Sequence, residues 1–571
     1  MTTETPSPAF SRTDVLVIGA GPTGLTAAAE ARRHGLSVRI IDKNESRTPF
    51  SKALVVHSRT LELFSDMGLV WRVLAQGREF RALNLYTDQK PLARILFQQL
   101  DWQDAPYPFW LSIPQSETEH CLEEHLSSFG VHVERRTELS SFSQHPDHVS
   151  AKLRRADGQF EECEAAWMVG ADGARSQVRT ALGIDFEGSA SDEVFILADV
   201  TMESQLADAE GYNLMAKEGI TLIVPMPTPK RVRLIFHMPN LSPNDKADIT
   251  LPLLQSLLDQ RTGFTTQVSE LGWTAQFFAR HFVAKHHRQG RVFLAGDAAH
   301  VHSPVGGQGL NTGIQDAYNL MWKLALHHKG QAADALLDSY ESERHTIAAA
   351  TIKNVKRATQ LVTLRSSIAQ GLRNQLAHLL MSTDTVQDRM GRDVGMLTLS
   401  YEKSPVVAED LPATGLLSSI ARTLVGGDSP DFATGPGAGE LAPSVDFAAE
   451  PDAPLRFLDA LQGTHYSLVF FAADDAPAQA ASWNAAVAQI RSRYSATINP
   501  LFVLRGTTAP PPDLSGVALR DREGALHSRY GAQAPCLYLV RPDKYVAYRC
   551  QPVDFAGLFA YLDRVLIPQS S

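Results

Sequence analysis

The chain is poor in cysteine. Only Cys121, Cys163, Cys536 and Cys550 occur in 571 residues, and no two form a C-x-x-C pair. That pattern indicates neither a disulfide framework nor a cysteine-built zinc site, and it suits a reducing, cytoplasmic compartment. Positive charge is also short: 53 Lys and Arg stand against 63 Asp and Glu, a formal net charge of −10. This balance argues against nucleic acid and against an anionic membrane surface as partners. No apolar run is long enough to cross a bilayer. The best candidate, Val15 to Ala31, is broken by Gly21-Pro22-Thr23-Gly24. The first dozen residues lack the basic-plus-apolar layout of a signal peptide. What remains is an ordinary globular composition, 44% hydrophobic, at a length that suggests roughly two to four domains.

The stretch from Val17 to Asp42 organises the rest. An apolar strand, Val15 to Ile18, runs into Gly19, Gly21 and Gly24 at G-x-G-x-x-G spacing. An alanine-rich helix opens at Pro22-Thr23, and a second strand, Val38 to Ile41, ends at Asp42 and Lys43. Gly19 permits a tight turn, Gly21 lets the backbone approach a pyrophosphate, and Gly24 lets helix and strand pack closely. The helix N-terminus offers unpaired N–H groups and positive dipole to phosphate. Asp42, 18 residues past Gly24, is placed to accept ribose hydroxyls. Strand, glycines, helix, second strand and terminal acid together predict a dinucleotide site. A second G-x-G-x-x-G following a strand does not occur.

Further along, Ser51 to Met67 predicts a helix with Arg59 in its first turn and Gly68 as its stop. Leu83 to Phe97 and Phe195 to Met238 read as strands, with a hairpin about Pro227-Thr228-Pro229-Lys230. Gln115 to Ser128 reads as helix, and His132 to Val169 as a meander leading into Asp172-Gly173. The order predicts one nucleotide domain (1–83, 113–190 and 275–400) interrupted by a smaller sheet domain (84–112 and 191–274). A strand at Val292 to Ala295 then ends at Gly296-Asp297, where a carboxylate can bind a ribityl or ribose hydroxyl. The loop Gly306 to Gly309 opens an amphipathic helix whose first N–H groups, at Leu310 and Asn311, suit an anionic ring atom. His300 and His302, two apart in a loop with no acid or cysteine set, do not make a metal site.

Ala349 to Met381 is a long helical pattern. Residues 401–443 turn rich in Pro, Gly, Ala and Ser and read as a linker or surface excursion. Residues 444–571 follow as a third α/β unit: strand Tyr466 to Phe471, helix Trp483 to Tyr494, strand Pro500 to Leu504, a hairpin across Arg541-Pro542-Asp543-Lys544, and helix Phe555 to Leu566. That order matches a thioredoxin-like layout without its redox dithiol, so the unit is expected to be structural.

The glycine motif, the Asp172-Gly173 segment and the Gly296-Asp297 segment, in that order, resemble the FAD-dependent aromatic-ring hydroxylases of the p-hydroxybenzoate hydroxylase class. The resemblance covers about residues 12–400. The C-terminal unit extends it to the branch of phenol hydroxylase, polyketide aromatic hydroxylases and pentachlorophenol 4-monooxygenase. S-K-A-L-V-V-H-S-R-T-L-E and G-D-A-A-H-V-H-S-P are similar to stretches of the last. The resemblance implies a Rossmann-like FAD domain interrupted by a β-sheet substrate domain. It implies non-covalent FAD held by Gly19, Gly21, Pro22, Thr23, Gly24, Asp42 and Lys43, with Arg59 and Gln115 at the phosphates and ribityl chain. Asp172 and Gly173 would serve FAD and the nicotinamide cofactor. Gly296 and Asp297 would hold the ribityl side, and Pro304, Gly307, Gly309, Leu310 and Asn311 would face the isoalloxazine.

The implied activity is NAD(P)H- and O2-dependent hydroxylation of a phenolic or polycyclic aromatic through a flavin C4a-hydroperoxide, by a monomer or homodimer. Baeyer–Villiger or dehalogenating oxygenation would use the same sites. A flavoprotein reductase, or a flavin-binding protein without turnover, is the alternative from another class. One departure stands out. Some phenol-oxidising relatives carry Asp or His five positions before the residue matching Arg59, whereas this chain has Leu54, leaving His57 as the alternative base. The W-L-S-I-P at Trp110 to Pro114 lacks the second tryptophan of the flavin-halogenase signature and lies in the wrong part of the chain.

Overall fold

In the computed structural model the strand Phe10–Ile18 lies at the centre of a parallel array. It pairs with Val38–Asp42 on one side and Phe160–Gly170 on the other, and Phe160–Gly170 pairs in turn with Val292–Leu294. Every residue from Val15 to Val17 is fully buried, as a strand covered on both faces requires. The structure describes residues 10–48, 53–100, 102, 105–302, 307–362, 392–393, 395–410, 432–450, 453–472, 476–494, 497–506, 511 and 514–569. Pro22 stands at the first helical position of Pro22–Arg33, where a missing N–H costs nothing, and Ala27, Ala28, Ala29 and Ala31 bury that helix. Hairpin strands Glu138–Gln144 and Val149–Arg154 complete this eight-stranded sheet.

A nine-stranded, largely antiparallel sheet interrupts the nucleotide fold. Phe186–Ser204 pairs with Thr274–Ala284 and with Arg231–Met238, which joins Gly219–Pro225 through the expected hairpin. One face buries Ile196, Ala198, Leu234 and Phe236 under Leu254 and Leu258 of the helix Leu251–Arg261.

The chain divides into two compact units. The first contains both sheets and runs through residues 1–102, 107–318 and 344–396. The second contains residues 103–106, 319–343 and 397–571. In the second unit a six-stranded mixed sheet runs in the order Ala408–Asp410, Val546–Cys550, Cys536–Val540, Tyr466–Ala472, Ile498–Arg505, Val517–Asp521. Tyr466–Ala472 is buried along its whole length because both faces are covered. Leu468 and Phe470 meet the helices Ala476–Tyr494 and Phe555–Val565, while Val469 and Phe471 meet Phe457 and Tyr530. This is the thioredoxin-like α/β unit that the element order predicts.

One expectation needs correction. The stretch 401–443 is not a loose linker over its described residues. Tyr401, Val406, Phe432 and Ala442 are buried, and Ala408–Asp410 adds a parallel strand beside Val546–Cys550. Proline and glycine here mark an extended strap that follows the sheet, with the backbone of Ala442 donating to Lys544 and that of Val546 to Glu440. The long helix runs Asp334–Val362, and the rest of the predicted pattern, to Met381, lies outside the described residues.

Candidate functional site

The three glycines differ in what surrounds them. A side chain on Gly19 would strike the Ala171 carbonyl oxygen at 2.4 Å, and Gly19 has φ +101. A side chain on Gly24 would meet the Gly19 carbonyl oxygen at 1.9 Å. Both are therefore glycine for packing within the protein. At Gly21 a side chain would meet nothing within 4 Å. The open side at Gly21 adjoins the N-terminus of Pro22–Arg33, whose first turn carries no acidic residue and whose cap has no side-chain hydrogen bond. A cradle kept clear beside unpaired N–H groups fits a pyrophosphate.

Thr23 links this loop to the second motif. Side chains on Gly296 or Gly313 would fall 2.5 and 2.3 Å from its Oγ1, so two glycines form the notch that Thr23 fills. Asp42 ends its strand as predicted, but one oxygen accepts the Ala20 N–H at 2.8 Å and the other the Asn44 N–H. It pins the glycine loop, and its remaining lone pairs are what a ribose would meet. Lys43 is exposed.

Several other predicted residues are engaged within the protein. Arg59 is 2% exposed and pairs through Nη1 with Glu62 at 2.8 Å. Gln115 donates to Glu119 at 2.8 Å and accepts from the Ala53 N–H, stitching the helix Gln115–Ser128 to the preceding strand region. The Asp172 carboxylate accepts from the Ser176 hydroxyl and from the Gln177 and Val178 N–H groups, so it caps the helix Gln177–Ala181. Gly173, at φ +82, has open space where a side chain would stand. The Asn311 side chain accepts the His57 N–H at 2.9 Å and donates to the carbonyls of Val55 and Gly307. It ties the Gly307 turn to His57. His57 itself is fully buried, its ring 5.1 Å from that of Trp110. Pro304 and Gly306 lie outside the described residues, while Gly307 (φ +63) precedes the helix Gln308–His328 and Gly309 lies in its first turn, so the helix starts two residues earlier than predicted.

Asp297 is the exposed residue of the short helix Gly296–Ala298, between buried Gly296 and Ala298. Beneath it lies a group of residues that sequence reasoning missed. Asp316 is fully buried, and its Oδ2 accepts the Gly296 N–H at 3.0 Å and meets His300 Nε2 at 2.6 Å. Arg344 Nε donates to its Oδ1 at 2.7 Å. Burial alone would raise this carboxyl, but the charges of His300 and Arg344 overcome that and hold it below the usual carboxylate range. His287, fully buried beside the rings of His300 and His345, is pushed down by burial to about 3. Among the described residues no group of His, Cys, Asp and Glu could hold a metal.

The second face of the nine-stranded sheet was also hidden from sequence reasoning. Alternation places Phe195, Leu197, Met215, Leu222, Val224, Ile235 and Phe277 opposite the helix-packed side. Met215, Leu222, Val224, Ile235 and Phe277 are only half-buried. Two polar pairs are set into this apolar face: Arg233 holds Asp199 through two bonds of 2.7 and 2.9 Å, and His237 Nε2 meets Glu193. An apolar surface with few polar groups suits an aromatic ligand.

In the second unit the cysteines are buried on opposite faces of the sheet, Cys536 with Phe471 and Cys550 with Leu537. Burial pushes the Cys536 thiol well up and Cys550 to about 11. Neither position forms or supports a dithiol.

Residues 12–355 match the family model described as an FAD binding domain. The chain is 34% identical to 6-methylpretetramide 4-monooxygenase of Streptomyces rimosus, over 98% of this chain and 94% of that one. It is 28% identical to pentachlorophenol 4-monooxygenase of Sphingobium chlorophenolicum, over 94% and 93% of the two chains. A solved structure of aklavinone-11 hydroxylase with FAD and aklavinone superposes with a TM-score of 0.73 at 25% identity, covering 97% of this chain and 98% of that one.

Proposed function

The chain belongs to the FAD binding domain family and is an FAD-dependent aromatic monooxygenase, and from that premise we propose that it hydroxylates a polycyclic, polyketide-like phenol with NAD(P)H and O2 as co-substrates. The observation that carries the reading is the pairing of an open cradle at Gly21, beside a helix N-terminus, with a half-buried apolar sheet face in the same unit.

Bound FAD would take a hydride from NAD(P)H and activate O2 for transfer of an electrophilic oxygen to the ring. The protein's share is binding and exclusion of water. The N–H groups at the start of Pro22–Arg33 would hold the pyrophosphate, Asp42 the adenosine ribose and Asp297 the ribityl chain. The start of Gln308–His328 would offer positive dipole to the ring system. Met215, Leu222, Val224, Ile235 and Phe277 would hold the planar substrate by apolar contact. The 6-methylpretetramide enzyme is more similar to this chain than the pentachlorophenol enzyme, which favours a fused-ring substrate over a simple halophenol. Leu54 is buried and is no base, so the reading takes the substrate itself as acidic or electron-rich, with His57 as the alternative base. The test is a screen of phenols and fused-ring polyphenols for stimulated NAD(P)H consumption by the FAD-loaded enzyme. Stimulation by fused-ring phenols supports the proposal. Stimulation by none, with FAD bound, contradicts it.

A further inference from the structure

We infer that Asp316 is the positioning residue for Asp297, acting by closing the turn 296–300 from beneath. A single oxygen, Oδ2, meets both ends of that turn: the Gly296 N–H at 3.0 Å and His300 Nε2 at 2.6 Å. The residue between them that faces outward is Asp297, while Gly296, Ala298 and Ala299 are buried. The second oxygen is occupied by Arg344 Nε, and Arg344 is also tied to the Thr312 carbonyl, so the carboxylate is fixed to its own helix. Gly296 stands at φ +61, which glycine adopts without steric cost, and its carbonyl accepts the Ala299 N–H at 2.8 Å within the turn. Asp316 lies two turns into Gln308–His328 and is fully buried, so it acts through the turn and touches no ligand itself. Charge-assisted bonds in a water-free setting make this a stiff clamp.

This rests on the reading that Asp297 holds bound FAD. The test is a double-mutant cycle on the FAD dissociation constant, read by flavin fluorescence on apoprotein reconstituted with FAD. Asp316→Asn and Asp297→Ala are each expected to weaken binding by about tenfold or more. If Asp316 works through Asp297, adding Asp316→Asn to Asp297→Ala costs less than about threefold more. Equal penalties in both backgrounds would overturn the inference, because a general loss of stability does not depend on the side chain at 297. Should Asp316→Asn fail to fold with Arg344 left unpaired, His300→Ala loosens the same turn from its other end and must show the same coupling; additive penalties for that variant count equally against the inference. An Asp297→Ala variant that binds FAD as tightly as wild type would overturn the underlying reading instead, which keeps the two failures apart. The visible spectrum of bound FAD is a second readout: a shifted or broadened flavin band in Asp316→Asn that Asp297→Ala already shows supports the clamp.

Discussion

Acid should weaken the first unit in part through His287. Its imidazole is fully buried, faces His300, His345, Asp316 and Arg344, and is held by burial at about 3. An unfolded histidine titrates near 6.5. The folded pKa lies below the unfolded one, so as pH falls through 6.5 the unfolded chain gains a proton that the folded chain refuses. Stability is therefore complete above about pH 7 and is lost progressively from 6.5 down to about 3. Between pH 7 and pH 5 the loss from this group alone comes to about 2 kcal/mol. The assay compares urea unfolding of wild type and His287→Gln at pH 7, 6 and 5, followed by tryptophan fluorescence. The variant can be less stable throughout, but its stability should fall less steeply, by about 2 kcal/mol across that range. Parallel curves for the two proteins would refute the reasoning.

Other predictions follow from the same physics. In the second unit Glu343 accepts from Lys323 and from two nitrogens of Arg541, all fully buried, so Glu343→Gln should cost roughly 3–5 kcal/mol in thermal or urea unfolding. A chain ending at 443 strips Arg541 and Asp543 from Lys323 and Glu343 and uncovers Trp322 and Leu336; it should be recovered only as aggregate, which sedimentation of the expressed protein will show. Replacing Cys536 and Cys550 together by alanine should leave NAD(P)H-driven turnover within a few-fold, since buried thiols on opposite faces of a sheet carry no electrons; loss of turnover in a soluble, FAD-loaded variant would contradict this. Gly313→Ala drives a methyl to 2.3 Å from Thr23 Oγ1 and should lower FAD content on purification.

Much of the fold was legible because it is written locally. The strand, glycine turn and alanine helix of Phe10–Arg33, the hairpin about residues 227–230, and the helix start near Gln308 each follow from a few neighbouring residues. The described part of 401–443 differs from the expected linker because Pro and Gly signal only an irregular backbone, not whether a sheet receives it. The site was legible in its backbone and less so in its side chains. Arg59 is spent on Glu62 and Asn311 on His57, partners that no motif spacing names. Asp316, Gly296, His300 and Arg344 meet only after the helices Gln308–His328 and Asp334–Val362 are laid down. The cap of the short helix Gln177–Ala181 is local: Ser176 stands directly before it and accepts the Arg179 N–H, with its hydroxyl donating to Asp172.

The central claim, that the chain inserts oxygen into an aromatic ring by means of bound FAD, is tested most directly with isotopically heavy O2. The FAD-loaded enzyme, NAD(P)H and a fused-ring phenol that stimulates NAD(P)H consumption are incubated under the labelled gas, and the product mass is measured. The account predicts a hydroxylated product carrying a heavy oxygen atom, formed in step with NAD(P)H used. NAD(P)H consumption that returns all the label as hydrogen peroxide, with the phenol recovered unchanged for every substrate, would contradict it.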